Sequence, residues 1–231
     1  IEIVLSRIKN SSFPLELSNN ITTKAGYKIV SVVPSVDIVA LEGEEALIDS
    51  VEKVVAKVDI KDLDKDITKL VNCKVLNKEG KEIPSLSKNL TVEVTVKVAK
   101  AVSVELVTSG TINPNYVEIS RTVVPSVVYV SGPSATLSRL TELKTETVNI
   151  NNLSGDLSTK ASLILPENVK LHDAQPEVDV HINVEPIVTR SLSFQPYNVE
   201  LVNRSADGSL EYKVKTENAT VQLKGRKSLL E

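Results

Sequence analysis

Two histidines and a scatter of carboxylates are the groups in this chain that could do acid–base or metal chemistry. Asp179, His181 and Asn183 alternate with Val178, Val180 and Ile182, so on a strand they share one face. A carboxylate beside an imidazole is two-thirds of a nucleophile relay, but no Ser or Cys stands in an elbow-like turn to complete it. The competing reading is a solvated strand face. His172-Asp173 falls in an expected turn, where one imidazole beside one carboxylate is short of a metal-ligand set. Asp59, Asp62, Asp64 and Asp66 have the look of a calcium loop. They lack the central glycine and terminal glutamate of that loop, which favours a polar turn. Gly26 and Gly80 are isolated and form no phosphate-cradling loop. Cys73 alternates with Val71 and Val75, and with no second Cys or nearby His it reads as a small buried hydrophobe. No catalytic, cofactor-binding or metal-ligating residue is expected, and no cofactor.

The elements that carry these groups recur. Val128-Tyr129-Val130-Ser131-Gly132-Pro133 has the period of a half-buried strand, ended by a glycine and followed by a short helix with Leu137 and Leu140. Val39 to Gly43 leads into Glu44, Glu45, Leu47 and Ile48 in the same way, with acidic residues at the positive end of the helix dipole. Val221 to Gly225 leads into Leu229 and Leu230. Gly43, Gly132 and Gly225 are 89 and then 93 residues apart, a period suited to a small domain. A glycine between strand and helix supplies a positive φ or a close backbone approach. A partner-binding surface at that end of the domain is the functional alternative.

Further signatures keep the same order. Pro34-Ser35-Val36 recurs as Pro125-Ser126-Val127. Val58-Asp59-Ile60-Lys61-Asp62-Leu63 recurs as Val148-Asn149-Ile150-Asn151-Asn152-Leu153, where Asp59 and Asn149 are expected to be exposed turn caps. Each repeat closes on an alternating strand, Val92 to Val98 or Val178 to Val184. The fold expected is mainly β, with one short helix per repeat, in a tandem array. Its parts are 1–9, the end of a preceding repeat; 10–98 and 99–185, two whole repeats; and 186–231, the start of a truncated one. Short connections such as Val184-Glu185-Pro186-Ile187 imply a semi-rigid rod.

Composition narrows the function. The 231 residues are 41% hydrophobic but only 3% aromatic, with apolar content drawn from Val, Ile and Leu. The net charge of −3 comes from 27 basic and 30 acidic residues mixed along the chain. Without a basic block or stacking aromatics, nucleic-acid binding is not expected. The apolar runs are too short for a membrane span. The chain starts at Ile1 and has no methionine, so an excised fragment with a targeting segment upstream is expected. Six Asn-x-Ser/Thr sequons, at Asn10, Asn20, Asn89, Asn152, Asn203 and Asn218, follow from the abundance of Asn, Ser and Thr.

Taken in order, Pro-Ser-Val before a strand, the Val-x-Leu/Val-x-Gly turn into a short helix, and Val-Asp-Ile-x-Asp-Leu resemble the YbbR-like domain family. A weaker match is the closing strand with Pro176, Val178 and Val180. The first repeat departs in having Glu44 where the family often has proline, and no clear proline before Val92. In that family such arrays follow one N-terminal transmembrane helix and lie outside the cytoplasmic membrane of Gram-positive bacteria. Its best-understood members regulate the membrane-bound diadenylate cyclase that makes cyclic di-AMP. The resemblance therefore implies a non-enzymatic regulatory or sensor array on the extracellular face of that membrane, with the cyclase as partner. Membrane contact would pass only through a segment absent from this sequence. The alternative is a structural spacer or envelope-binding rod, with cell-envelope components as its partners.

Overall fold

The structure, a computed structural model, describes residues 6–195, 200–203, 206–213 and 219–230. Valine-rich alternation gives strands nearly throughout. The first stretch forms β1 (Ile8–Thr23), β2 (Tyr27–Pro34), β3 (Ile38–Glu44), α1 (Glu45–Ser50), β4 (Val51–Leu63), β5 (Ile67–Asn77), α2 (Pro84–Ser87) and β6 (Thr91–Glu105). The second forms β7 (Thr108–Ser109), β8 (Tyr116–Val124), β9 (Val127–Ser131), α3 (Ser134–Arg139), β10 (Glu142–Lys144), β11 (Val148–Asn149), β12 (Leu157–Ser162) and β13 (Lys170–His172). Then come β14 (Glu177–Phe194), β15 (Ala219–Arg226) and α4 (Lys227–Leu230). Among the described residues the fold is mainly β, with short helices after the glycine-bearing strands. Of the expected preceding strand, residues 1–5 lie outside the described residues, as do 196–199 and 214–218 of the last part, including the Asn218 sequon.

Three long strands run through points where the sequence suggests one repeat ending and the next beginning. Strand β1 pairs antiparallel with β3 over its first half (Lys9 opposite Gly43), then parallel with β4 over its second (Leu15 opposite Val54). Strand β6 pairs with β5 and β2, and its last residues pair with β9, Val102 opposite Val128. Strand β14 pairs with β12 and β8, then with β15, Val188 opposite Gly225. Because β6 does not stop at residue 98, β9 extends its sheet and brings α3 and β13 with it. The compact units thus divide the chain differently from the repeats at 10–98 and 99–185. Unit 1 combines the chain up to Val104 with Val127–Leu143 and Leu165–Pro176. Unit 2 combines Glu105–Ser126, Lys144–Ile164 and the chain from Glu177 on.

In unit 1 the sheet order is β13-β9-β6-β5-β4-β1-β3, with β2 and β10 also on β6. Its core is aliphatic: Val54, Val58, Val75, Val94 and Val96 are fully buried, with Ile48 packed over them from α1. Each such valine contributes about 1.5–2 kcal/mol through burial. Cys73 lies in this core between Val71 and Val75, and burial raises its thiol pKa. In unit 2, Val178, Val180 and Ile182 of β14 are buried while Asp179, His181 and Asn183 face out.

The two repeats share their backbone chemistry in detail. In β2 an extra residue at Val30 forms a bulge opposite the Lys97–Val98 step of β6, and the Val98 N–H donates to Asp66 Oδ1 at 2.9 Å. In β8 the extra residue is Ile119, opposite the Asn183–Val184 step of β14. There the Val184 N–H donates to Asp156 Oδ1, again at 2.9 Å. Likewise the Leu63 and Leu153 carbonyls accept from the N–H of Lys24 and Asn113 (3.0 and 3.1 Å). Asp62 and Asn152 both adopt left-handed backbone, φ 53° and 56°, a conformation their short polar side chains tolerate.

The glycines do not act through φ at the expected positions. None of Gly43, Gly132 and Gly225 has positive φ; their role is space. A Cβ on Gly132 would lie 2.9 Å from the Asn168 carbonyl oxygen, which is backbone. On Gly43 it would meet the flexible end of Leu86 at 2.9 Å, and on Gly225 only Leu230 at 3.5 Å. The most constrained glycine is Gly110, with φ 86° and Asn151 backbone 2.7 Å from its missing Cβ.

Two predictions follow from this packing. Asp66→Ala should cost about 1 kcal/mol in urea unfolding by stranding the Val98 N–H, and Asp66→Asn less, because an amide oxygen still accepts. Equal stability of Asp66→Ala and the parent would contradict that role. In the glycine series Gly110→Ala should cost about 3 kcal/mol, Gly132→Ala about 1–2 and Gly225→Ala under about 0.5. A different order in the same assay would refute the packing argument.

Candidate functional site

The residues singled out in the sequence are dispersed over the fold. Pro34 ends β2, with the Ser35 N–H bonded to the Glu93 carbonyl at 2.8 Å, and Pro125 follows a cis peptide bond after β8. Asn149 caps a turn as expected, its Oδ1 accepting from the Asn151 N–H at 2.9 Å. Asp59 does not, because β4 runs on to Leu63; its carboxylate instead accepts from Asn20 Nδ2 at 3.3 Å. Gly43 and Gly225 lie near the ends of β3 and β15. Gly132 differs: it borders two adjoining concavities inside unit 1.

The larger is a cleft of about 430 Å³ between the β4–β5 turn and α3, lined by Tyr27, Asp64, Lys65, Asp66 and Leu137 besides Gly132. The second is a groove of about 330 Å³ floored by β6, β9 and β13, where Lys97, Ser131, Asn168, Lys170 and His172 surround Gly132 and Asp66. The absent Cβ lets Gly132 pass under Asn168, which brings the β13 side of the groove close to β9. Strand pairing sets the rest: Lys170 is opposite Ser131 and His172 opposite Tyr129.

His172 belongs to β13 and not to a turn as the sequence suggests. Its Nε2 is 2.7 Å from Ser131 Oγ, a distance at which an imidazole can take a hydroxyl proton. The third group of such a relay is committed elsewhere. The Asp173 carboxylate pairs with the Lys28 ammonium, which also sits 4.1 Å from the centre of the Tyr129 ring. His181 Nδ1 likewise meets Ser158 Oγ at 3.1 Å across β12 and β14. Among the described residues no carboxylate is hydrogen-bonded to either imidazole. Both serines escaped the sequence reading because they reach their histidines through register, 41 and 23 residues away.

The acidic run separates into four roles. Asp59 bonds Asn20, and Asp62 takes the left-handed position, its N–H donating to Thr22 Oγ1 at 3.2 Å. Asp64 faces Lys24 at 3.7 Å, and Asp66 receives the Val98 N–H. Among the described residues no cluster of three or more potential ligands forms.

Asp173 carries the electrostatic signature of this region: the hydrogen bond from Lys28, then its charge, lowers the carboxyl pKa below its ordinary value. A carboxyl lowered in the folded state adds stability above its unfolded pKa of about 4 and loses it as pH falls through the folded value. The side chain is largely exposed, so the contribution is small. Carbon-detected NMR titration should place the Asp173 midpoint below the ordinary range, and Lys28→Gln should return it there. An unmoved midpoint in Lys28→Gln would rule out the pair as the cause.

Several comparisons place the chain among known proteins. The model of the family described as YbbR-like protein matches residues 13–98 and again 102–182. Among curated proteins none matches. The solution structure of SuR18C from Streptococcus thermophilus is 23% identical, covering 38% of this chain and 84% of that one, at a TM-score of 0.33. The crystal structure of a YbbR-like protein from Streptococcus pneumoniae TIGR4 is 16% identical, covering 80% and 99%, at a TM-score of 0.26. These superpositions are too loose to bear on the fold, and the assignment rests on the sequence match. That match spans most of the chain in two consecutive copies, and the chain therefore belongs to the YbbR-like family, as a tandem array of its domains.

Proposed function

We propose that this chain is the non-catalytic, extracytoplasmic part of a membrane-anchored regulator, acting on a membrane-bound diadenylate cyclase and so on cyclic di-AMP. The observation that supports it most is the pair of consecutive YbbR-like matches, since the best-understood arrays that this family resemblance brings in belong to such regulators. The side-chain chemistry is consistent with it. Asp66 and Asp156 accept backbone N–H groups, Asp62 and Asn152 hold left-handed backbone positions, and Asp173, next to His172, is paired with Lys28. An array of this kind acts through surfaces, and any influence on nucleotide synthesis inside the cell passes through a membrane segment or a shared partner. A passive envelope rod is the rival reading.

Cyclic di-AMP measured in three strains separates the two. Loss of the parent gene should change the level, the full protein should restore it, and a version without these repeats should fail to restore it. No change in any strain would leave the passive rod as the better account. Restoration by the repeat-less version would assign regulation to the membrane segment alone.

A further inference from the structure

The groove around Gly132 has a charge imbalance that neither the fold nor the regulatory reading uses. Lys97 of β6 and Lys170 of β13 line it from opposite strands, with His172 and Ser131 between them and Asn168 at its edge. Both lysines are exposed, and among the described residues neither has an ion-pair or hydrogen-bond partner. Lys65, on the adjoining cleft, is in the same position. The carboxylates nearby are already engaged: Asp66 accepts the Val98 N–H, Asp64 faces Lys24, and Asp173 is paired with Lys28. Two lysines without partners among the described residues therefore line a concavity whose one lining carboxylate, Asp66, already accepts a backbone N–H.

We propose that this groove binds a phosphate group, as a monoester or diester, between Lys97 and Lys170. Two ammonium groups outweigh the single Asp66 carboxylate of the lining, and a phosphate offers them more acceptor oxygens than the two of a carboxylate. Asn168 and the hydrogen-bonded Ser131–His172 pair add polar groups at the wall. About 330 Å³ accommodates the phosphate and the start of the chain or headgroup it esterifies. The glycine matters here as well, since a Cβ at residue 132 would push against Asn168 and open the groove.

The test uses the chain as it stands, with isotope-labelled protein at low ionic strength, where such contacts are least screened. Inorganic phosphate and glycerol 3-phosphate serve as soluble probes, and vesicles with or without phosphatidylglycerol as the lipid source. Saturable shifts at the amides of Ser131, Gly132, Asn168 and His172 are expected. Lys97→Gln/Lys170→Gln should weaken binding at least about tenfold, while the distant pair Lys57→Gln/Lys78→Gln binds as the parent does. Response to the soluble esters alone supports the groove with a soluble ligand. Capture by phosphatidylglycerol vesicles that depends on Lys97 and Lys170 supports it with a lipid headgroup. Absence of saturable shifts, or equal loss in both double variants, overturns the proposal.

Discussion

Where a strand runs on past the end of its ladder partner, its next backbone N–H on that edge meets no strand carbonyl, and an unmet amide in a half-buried sheet costs free energy. This fold meets the cost with an aspartate. Asp66, just before β5, receives the Val98 N–H two residues beyond the Ile67–Val96 pair, and Asp156, just before β12, receives the Val184 N–H two residues beyond the Leu157–Ile182 pair. The bond ties the turn after one strand to the closing strand of the same repeat. It thereby fixes where β5 starts on β6 and where β12 starts on β14. In unit 1 the groove lined by Val30, Asp66 and Lys97 lies beside that tie.

The long strands extend the same logic. A strand that closes one repeat and continues into the next offers new hydrogen-bonding positions beyond the first repeat's edge. Strand β9 takes them on β6, and β15 takes them on β14. The chain can thus repeat in sequence at one set of positions and pack into compact units at another. Inside unit 1, Gly132 lies at the end of the added strand, where the Asn168 carbonyl leaves no room for a side chain.

Much of this was legible in the residues. Period-2 valines reveal the strands, because only alternation buries one face of a sheet, and the three glycine motifs mark strand-to-helix turns at similar spacings, 89 and 93 residues. The Asp62 and Asn152 elements are visible as a repeated motif, and their meaning emerges only from φ. The same motif misled at Asp59, where the strand continues instead of turning. Asp66 and Asp156 were hidden because their partners are backbone amides 32 and 28 residues away, and a backbone N–H has no residue type to read. The Ser131–His172 and Ser158–His181 pairs were hidden for a related reason: cross-strand register is set by bulges and turns, which composition does not encode.

Amide hydrogen exchange at Val98 and Val184 tests the shared construction most directly. Both amides donate to a carboxylate just beyond the end of a ladder, so each reports on that bond without a substitution. Slow exchange at both, comparable to neighbouring ladder amides, is the result this account predicts. Exchange at either one as fast as in a solvent-exposed loop would contradict it.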